Sequence, residues 1–421
     1  MGVASVAATE RFTIDATALS SLGVLQLLVY AVLQIPVGVL VDRFGPRILI
    51  VTGAATMALG QVLVAVAADL PLALVGRVLV GAGDAMTFIS VLRLLGAWFS
   101  PQRLPQLSQW VGTLGQAGQL LSAIPFALVL QMSGWTTAFA SAASLSVIAA
   151  IAVLVAVTDA PAGVSSHRST SLRAALGSLG QSLRHPGTRL GFWAHAATQS
   201  SGAMLALLWG FPMLTIGLGY GPALAAGMLG GMVVVAAVAG PLIGLLSARY
   251  PFRRSNLILG IAGAMAVAWA VVLLWPGIPP FGVVALLFAV VAAGGPGSLI
   301  GFDFARTYNP PVRHGAASGF VNLGGFTITV LIMLTVGLLL DAQSPGADPS
   351  QLYAWENWRV ALAVQYPIVG IVVALMLVAR ARTRRRVQED EGIAVGPLWV
   401  AIARRWRRRP GAPGESGGAS R

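Results

Sequence analysis

The amino-acid sequence predicts an all-α, polytopic membrane protein. Of the 421 residues, 56% are hydrophobic and only 10% are charged, whereas about 25% of the residues in a soluble domain are charged. Apolar runs of the length that a helix needs to cross a bilayer, roughly 20 residues, recur along the chain. These runs are continuous rather than alternating, unlike the strands of a transmembrane β-barrel. A soluble enzyme is therefore excluded.

Five apolar runs occupy the first part of the chain. The first ends at Asp42, and a tight Gly45-Pro46 turn leads into the second. Asp69 and Arg103 mark later loops, because ionisable side chains are costly inside a membrane. The runs predict spans at residues 16–41, 48–68, 71–98, 107–130 and 134–157.

A long polar interval at residues 158–187 separates these five runs from six more. It divides the chain into an N-terminal helical half, residues 1–157, and a C-terminal helical half, residues 188–380. An Arg-rich tail, residues 381–421, follows the second half. The six later spans are predicted at residues 188–215, 222–247, 255–275, 281–302, 315–340 and 357–380, which makes eleven in all.

The positions of the basic residues predict the orientation of the chain. The net charge is +13, and all 27 basic residues are Arg. Most of them lie in every second loop and in the tail, and Arg-rich loops stay on the cytoplasmic side of a membrane. We therefore predict a multi-pass protein of the cell (plasma) membrane with a cytoplasmic C-terminus.

The first residues are apolar but too few to cross a membrane. Met1–Ala8 resembles the outer third of a helix, and the first full span must begin outside because it ends inside at Asp42. We expect the native protein to have twelve spans and this chain to begin within the first. In-frame coding sequence upstream of Met1 would support this expectation. The alternative is an eleven-span protein with its N-terminus outside.

The two halves contain related sequence motifs. The pattern G-x-L-x-x-R-[FY]-x-x-R occurs at Gly38–Arg47 and again at Gly244–Arg253. A second pair of related stretches lies at residues 101–111 and 311–321. Parallel repeats of this kind are typical of transporters. A channel is the competing interpretation, but the sequence shows no candidate selectivity loop or ring of charged residues.

The motif at Gly38–Arg47 is very similar to the loop 2–3 signature of the major facilitator superfamily. Arg77-Val-Leu-Val-Gly81-Ala-Gly83 resembles the R-x-x-x-G-x-G motif of that family's fourth helix. The resemblance covers the whole chain except most of helix 1 and the tail. It implies two pseudo-symmetric six-helix halves around a central cavity, here with eleven full spans and a remnant of helix 1.

Two stretches depart from the family pattern. Gly112–Gln119, on helix 5, lacks the Gly-Pro-Gly-Gly pattern of antiporters, which argues against a multidrug exporter. Ala248 stands where the second copy of the loop motif should have its acidic residue. Only the first half therefore keeps the full chemistry of that loop.

The resemblance implies a gating role for the first loop. In the family this cluster latches the cytoplasmic gate in the outward-open state, and we carry that role to Asp42, Arg43 and Arg47. Arg93, near the cytoplasmic end of helix 4, is their expected partner. Asp303 occupies the matching position in the second half, so we expect Arg93 and Asp303 to pair as the gate moves. The alternative for Arg43 and Arg47 is that they only set the topology.

Helix 4 carries Arg77 and Asp84, seven positions apart and so on one face. Ionisable groups inside a membrane are costly and are functional hypotheses by default. Asp84 lies near the middle of its span, where burial makes a carboxyl easier to protonate. We predict that Asp84, with Arg77, couples transport to proton movement. The alternative is an internal ion pair without proton movement.

Polar and aromatic side chains recur at helical spacing on several spans. His195, Gln199 and Trp209 share a stripe on helix 7, and Gln26 and Tyr30 share one on helix 2. Such side chains suit a small polar solute. Amides equally bond helices to one another, and a histidine can serve in packing. The predicted substrate-binding residues are Gln26, Tyr30, Gln116, Gln119, His195, Gln199, Trp209 and Asn322.

No cofactor or metal is expected, since the chain has no Cys and its four His are scattered. The tail contains a basic amphipathic segment, which we expect to lie on anionic inner-leaflet lipids. Nucleic-acid binding is not expected, and the protein is expected to be a monomer. The apolar face of the segment consists of Val395, Leu398, Trp399, Ile402 and Trp406.

These observations predict a secondary transporter that works by alternating access, and not an enzyme. The sequence has no G-x-x-x-x-G-K-[ST] loop and no Lys to complete one, which excludes ATP-driven pumping by this chain alone. The expected activity is proton-coupled uptake of a small polar or anionic solute. Drug or metabolite efflux by proton antiport is the alternative of the same class. A non-transporting membrane sensor or a truncated inactive product is the alternative of another class.

Overall fold

Every regular element that the computed structural model describes is a helix. Ten helical stretches in the described residues are long and apolar enough to cross a membrane, and ten of the eleven predicted spans correspond to them. The remaining span, residues 107–130, is helical too, but the side chains of residues 119–124 lie outside the described part. The predicted all-α polytopic class is confirmed. The described residues are 4–13, 16–161, 171–343 and 349–392.

The N-terminal half has five helices, two of them joined by a glycine turn. Gly45, with φ 91°, separates the second helix from the third, which begins at Pro46. The last helix includes two predicted spans and breaks at Gly134, whose φ of 78° suits glycine alone. The helices are α1 (Ser5–Phe12), α2 (Ala16–Phe44), α3 (Pro46–Val66), α4 (Leu70–Trp98) and α5 (Leu104–Ala156).

Three spans in the described part of the C-terminal half are interrupted, and one of them, predicted at 357–380, breaks only at Val364. The span predicted at 188–215 is regular to Met204 and continues through π-helical turns, and the span predicted at 281–302 breaks around a Gly-Gly-Pro sequence. The helices are α6 (Leu172–Arg184), α7 (Pro186–Met204), α8 (Gly210–Pro212), α9 (Pro222–Arg249), α10 (Arg254–Leu274), α11 (Phe281–Ala292), α12 (Gly294–Ser298), α13 (Ile300–Tyr308), α14 (His314–Gln343), α15 (Pro349–Leu352), α16 (Trp355–Ala363) and α17 (Gln365–Glu391).

Two predicted boundaries differ from the structure. The interval 158–187, predicted as a loop, contains α6, which packs against α2 and α14. Leucines recur in it every three or four residues, so a short helix buries one face without an apolar run. The last helix continues past residue 380 to Glu391, so the start of the predicted tail extends α17. The amphipathic segment predicted at 395–406 lies outside the described residues.

The two halves contact each other through α2 with α14 and α5 with α9. We name the end where these contacts lie the Arg-rich end, because its connections include residues 43–47, 249–254 and 306–313. Gly240 and Gly244 of α9 pack closely on α5 there. A Cβ built at Gly230, on the same side of α9 but farther from that end, meets nothing within 4 Å. On this side, α9 is therefore in close contact with α5 near the Arg-rich end and not at Gly230.

The N-terminal segment packs at the opposite, Arg-poor end. The rings of Phe12 and Trp135 meet edge to face at 5.4 Å, and Arg11 Nε donates to the Ala67 carbonyl at 2.9 Å. Ala4 and Ala8 are fully buried in the same cluster. The expected extension before Met1 stays a prediction.

Candidate functional site

Asp42, at the end of α2, binds the start of α14 in the other half. Its Oδ1 and Oδ2 accept hydrogen bonds from the backbone N–H groups of Gly315 and Ala316, both at 2.9 Å. Arg93 Nε of α4 donates to Oδ1 at 3.3 Å. Asp42 is 2% exposed, so Arg93 and the partial positive charge of the α14 N-terminus compensate its buried charge. Two predicted gate residues thus meet and connect to the opposite half.

Asp303, the predicted gate residue of the second half, lies on α13. Its carboxylate accepts hydrogen bonds from Arg306 Nη2 at 2.5 Å and from Ser247 Oγ at 2.8 Å. Arg306 Nη2 also donates to Ser108 Oγ of α5, in the N-terminal half, at 3.0 Å. In this conformation Arg93 is paired with Asp42 and Asp303 with Arg306, each within its own half, and the pair expected between Arg93 and Asp303 stays a prediction.

Arg43 and Arg47 lie at the rim of the Arg-rich end. The guanidinium group of Arg43 stands over the Phe44 ring at 5.7 Å. The backbone N–H of Arg47 donates to Asp159 Oδ1 at 2.7 Å, and its Nη2 donates to the Leu154 carbonyl at 2.5 Å. These contacts tie α3 to the end of α5. A gating role for either arginine stays a prediction.

Glycines bring the halves into backbone contact at the Arg-rich end. A Cβ added at Gly38 would lie 2.5 Å from the Gly315 carbonyl oxygen, so α2 and α14 touch without side chains between them. A Cβ added at Gly244 would lie 2.9 Å from the Gln106 Cα on the other helix pair. Gly38 and Gly244 begin the two copies of the repeated motif. The repeat therefore marks both contacts between the halves.

Further contacts hold the two halves together at the Arg-rich end, and we call all the contacts between the halves there the closure. Gln109 Nε2 of α5 donates to the Pro296 carbonyl of α12 at 2.8 Å. Leu179 of α6 packs against Val39 and Ala316, one from each half. An apolar cluster fills the space between α4, α13 and α14, and it consists of Leu92, Phe302, Ala305, Ala317 and Val321.

A group of polar side chains lies deeper in the bundle than this closure. Asn322 Nδ2 of α14 donates to Gln34 Oε1 at 2.7 Å and to the Tyr30 hydroxyl at 3.2 Å, both on α2. Gln34 Nε2 donates to the Tyr30 carbonyl at 2.9 Å. The group therefore crosses between the halves. We call it, with its neighbours, the polar layer, which consists of Tyr30, Gln34, Asp84, His195, Gln199, Ser298 and Asn322.

Asp84 lies midway along α4 and is half-buried. Among the residues that the structure describes, it has no hydrogen-bond or salt-bridge partner. Arg77 and Tyr30 are near enough to interact with it electrostatically. Arg77 instead donates to the Leu22 carbonyl at 3.3 Å and to Gln26 Oε1. Since a carboxyl without a partner is costly inside a membrane, Asp84 is available to a proton or a solute.

His195 and Gln199 of α7 meet the broken part of the neighbouring span. The carbonyl of Ser298 accepts a hydrogen bond from His195 Nδ1 at 3.0 Å, which assigns the ring proton to Nδ1. His195 Nε2 is buried and has no hydrogen-bond partner among the described residues. Ser298 Oγ approaches Gln199 Oε1 at 3.4 Å. Both predicted residues thus belong to the polar layer.

The other predicted substrate-binding residues do not all lie in the polar layer. Gln116 of α5 faces α12 across the halves, since its Nε2 would lie 3.9 Å from a Cβ at Gly295. The side chain of Gln119 lies outside the described residues. Trp209 is apart from the polar layer, in the core of the C-terminal half, where its Nε1 donates to the Met333 carbonyl at 2.9 Å.

Sequence reasoning missed two contributors to the site. Gln109 and Ser298 were not singled out, because a single amide or hydroxyl in an apolar run gives no signal of the helix it will face. The signal available for Gln109 was its place beside Ser108 in the second repeated stretch. Gln34 shares the helical stripe of Gln26 and Tyr30, which does predict its position.

The described residues contain no group of three or more His, Asp or Glu side chains arranged to hold a metal ion. The family model of the Major Facilitator Superfamily matches residues 1–326. No curated protein matches the chain. Among solved structures, the chain is similar to a bacterial homologue of the iron transporter ferroportin in an outward-facing state. The TM-score is 0.65 and the identity 13%, over 90% of this chain and 94% of the other.

Proposed function

The chain belongs to the major facilitator superfamily, and on this premise we propose that it imports a small polar or anionic solute together with protons. Membership of this transporter family and the shared fold indicate membrane transport by alternating access. The coupling to protons, the class of solute and the inward direction go beyond what membership of the family indicates. The observation that carries the proposal is the unpartnered carboxyl of Asp84 at the middle of α4.

Asp84 has the properties that a proton carrier needs. Its carboxyl is half-buried, lies within electrostatic range of Arg77, and forms no ion pair that would hold it permanently charged. A membrane interior favours the neutral acid, whereas the nearby Arg77 favours the carboxylate. Opposing influences of this kind let one group take up and release a proton as its surroundings change.

The polar layer supports a polar substrate. Tyr30, Gln199 and Asn322 offer neutral donors and acceptors between the two halves. His195 Nε2 adds a buried acceptor without a partner among the described residues. Arg77 supplies the positive charge that an anionic solute would require. Such a set matches small molecules with hydroxyl, amide or carboxylate groups better than large apolar drugs.

We assign the Arg-rich end to the cytoplasm and place the protein in the plasma membrane. With this assignment, the conformation is closed toward the cytoplasm. The polar layer would then be reached from outside, at the Arg-poor end. Uptake follows if the solute and proton bind in this state and are released after the Arg-rich end opens.

Two other activities need separate tests. Proton-driven efflux uses the same parts in the opposite direction. Iron is the cargo named for the ferroportin homologue, but an identity of 13% transfers the fold and not the cargo. The described residues also lack a cluster of three metal-binding side chains.

Reconstituted protein with a pH-sensitive dye inside the liposomes tests the proposal. Sugars, amino acids, nucleosides and small carboxylates are added outside in turn, with the outside acidic. We expect at least one class to acidify the lumen, and Asp84→Asn to remove this signal. Asp69→Asn is the matched control, because Asp69 caps the start of the same helix by accepting from Leu72 N–H, and asparagine keeps that cap.

Three outcomes would contradict the proposal in different ways. Full proton movement in Asp84→Asn would exclude Asp84 as the carrier. Solute uptake without a change of luminal pH would exclude proton coupling. Alkalinisation of an acid-loaded lumen that accompanies solute entry would indicate antiport, as in efflux.

A further inference from the structure

A cleft opens at the Arg-rich end between α7, α10, α13 and α17, outside the contact between the halves. Arg380 and Arg384 lie one turn apart on α17 and form one wall. Ser255 of α10 and Tyr308 of α13 stand opposite, with Thr383 between the two arginines. We call this the arginine cleft. None of its residues belongs to the polar layer or to the closure around Asp42.

The positive charge of the arginine cleft is not neutralised by the described residues. Arg380 has one hydrogen bond, from its Nη2 to Asn256 Oδ1 at 2.5 Å, and its Nε is buried without a partner. Arg384 has no hydrogen bond to any described residue, and its Nη2 is buried too. Arg253 lies close enough to repel both guanidinium groups electrostatically. Both arginines are half-buried, and guanidinium nitrogens that are shielded from water are normally hydrogen-bonded, so the arginine cleft is suited to an anion.

The surroundings of α17 carry the same positive field. Outside the membrane spans, burial and the nearby Arg386 lower the pKa of His185 below its usual value. His185 packs against Tyr308, which itself lines the cleft. A neutral imidazole is therefore favoured beside α17, as expected near an excess of guanidinium groups.

The remaining wall is apolar and lies at the edge of the bundle. Leu190, Phe304 and Val387 line the cleft and are buried, and the exposed apolar surface beside them is that of Phe252, which is 48% exposed. The cleft thus offers guanidinium donors at the end of the helices and an apolar surface next to them. A phospholipid has the same arrangement of a charged phosphate above an acyl chain.

We propose that the arginine cleft binds the phosphate group of an anionic phospholipid from the leaflet at the Arg-rich end. Guanidinium groups form paired, charge-assisted hydrogen bonds with phosphate oxygens. Arg380 and Arg384 are the principal donors, and the Ser255 hydroxyl is a third. A free phosphate ion would use the same donors without the apolar wall, so the experiment includes both ligands.

Thermal unfolding of the purified full chain in detergent tests this proposal. Phosphatidylglycerol, phosphatidylcholine and inorganic phosphate are added separately to the unchanged protein, to Arg384→Gln and to Arg382→Gln. Arg382 is the matched control, since it is exposed on the opposite face of the same helix. We expect phosphatidylglycerol to raise the melting temperature of the unchanged protein and of Arg382→Gln, and Arg384→Gln to weaken the apparent affinity about tenfold or more.

The variants also differ in the absence of lipid. Removal of a half-buried charge that has like-charged neighbours should leave the melting temperature of Arg384→Gln unchanged or raise it, whereas loss of a structural arginine would lower it. An equal stabilisation by inorganic phosphate would assign the site to a free anion and overturn the lipid. Equal loss of stabilisation in both variants, or none in the unchanged protein, would overturn the site itself.

Discussion

The two halves carry the same motif at the Arg-rich end but close it with charges of opposite sign. Gly38 and Gly244, the first residues of the two copies, both bring a helix against the other half. From the N-terminal half a carboxylate, Asp42, reaches the backbone of α14. From the C-terminal half a guanidinium, Arg306, reaches Ser108 of α5.

This comparison shows that the repeat preserves the close packing of the helices at the glycines, whereas the charged groups that form the contacts differ between the halves. A negative charge at the first turn of α14 is attracted by the helix dipole. The first turn of α5 has no side-chain cap, and the residue that corresponds to Asp42 is Ala248. The closure therefore depends more on the contact of α2 with α14 than on the contact of α5 with α9.

The largest effect is expected from Asp42→Asn. The substitution weakens two charge-assisted bonds that cross the halves, a loss of about 3 kcal/mol from the closed state, whereas the pair with Arg93 lies within one half and favours neither state. The open fraction at the Arg-rich end should rise about 100-fold. Ala317→Cys, a fully buried position in a chain without other Cys, reports this opening through its rate of labelling by a membrane-impermeant thiol reagent.

Asp341→Asn serves as the control for that change, because Asp341 is exposed near the opposite end of α14. The rate of labelling at position 317 in the Asp341→Asn variant should equal the rate measured without that substitution. Equal labelling in Asp42→Asn and Asp341→Asn would mean that Asp42 does not hold the closure.

A smaller effect is expected from Gly38→Ala. The new methyl group would overlap the Gly315 carbonyl and force α2 from α14, at a cost of about 2 kcal/mol to the closed state. Labelling at position 317 should rise about 30-fold. Gly244→Ala tests the equivalent contact, and Gly230→Ala is the control because its Cβ meets nothing within 4 Å. If Gly230→Ala opens the protein as much as Gly38→Ala, close packing is not the cause.

The smallest effect on opening is expected from Asp303→Asn. Asp303 and Arg306 belong to one half and stay together whether the Arg-rich end is open or closed. The free energy of unfolding should fall by about 3 kcal/mol because a buried guanidinium loses its partner, while labelling at position 317 changes less than about fivefold. A rise in the labelling rate as large as that expected for Asp42→Asn would mean that the two halves contribute equally to the closure.

The spans could be predicted because a bilayer imposes a length and a composition that hydropathy records directly. The contact of Asp42 with Arg93 was accessible through the motif and its resemblance. Helix α6 was missed because a short amphipathic helix lacks an apolar run. The interruption around α12 lies at Pro296, where the sequence predicts a bend of the helix but not its extent.

Contacts between the halves were the hardest to predict. Gln109 bonds the carbonyl of Pro296, far away along the chain, and Arg306 bonds Ser108. Each depends on the rotation of two helices about their axes, which the apolar period leaves undetermined in spans that are hydrophobic all round. Trp209 shows the same limit, since it shares a helical stripe with His195 and yet packs within one half.

The bare backbone where α2 meets α14 has a consequence for the rate of movement. A long side chain that becomes ordered at a contact loses up to about 2 kcal/mol of rotational freedom, and glycine has none to lose. Gly38 and the Gly315 carbonyl can therefore part and rejoin without a long side chain between them having to find its rotamer. Reclosure at this seam then requires only that two helices return to the same register, which the bonds of Asp42 to two successive N–H groups define.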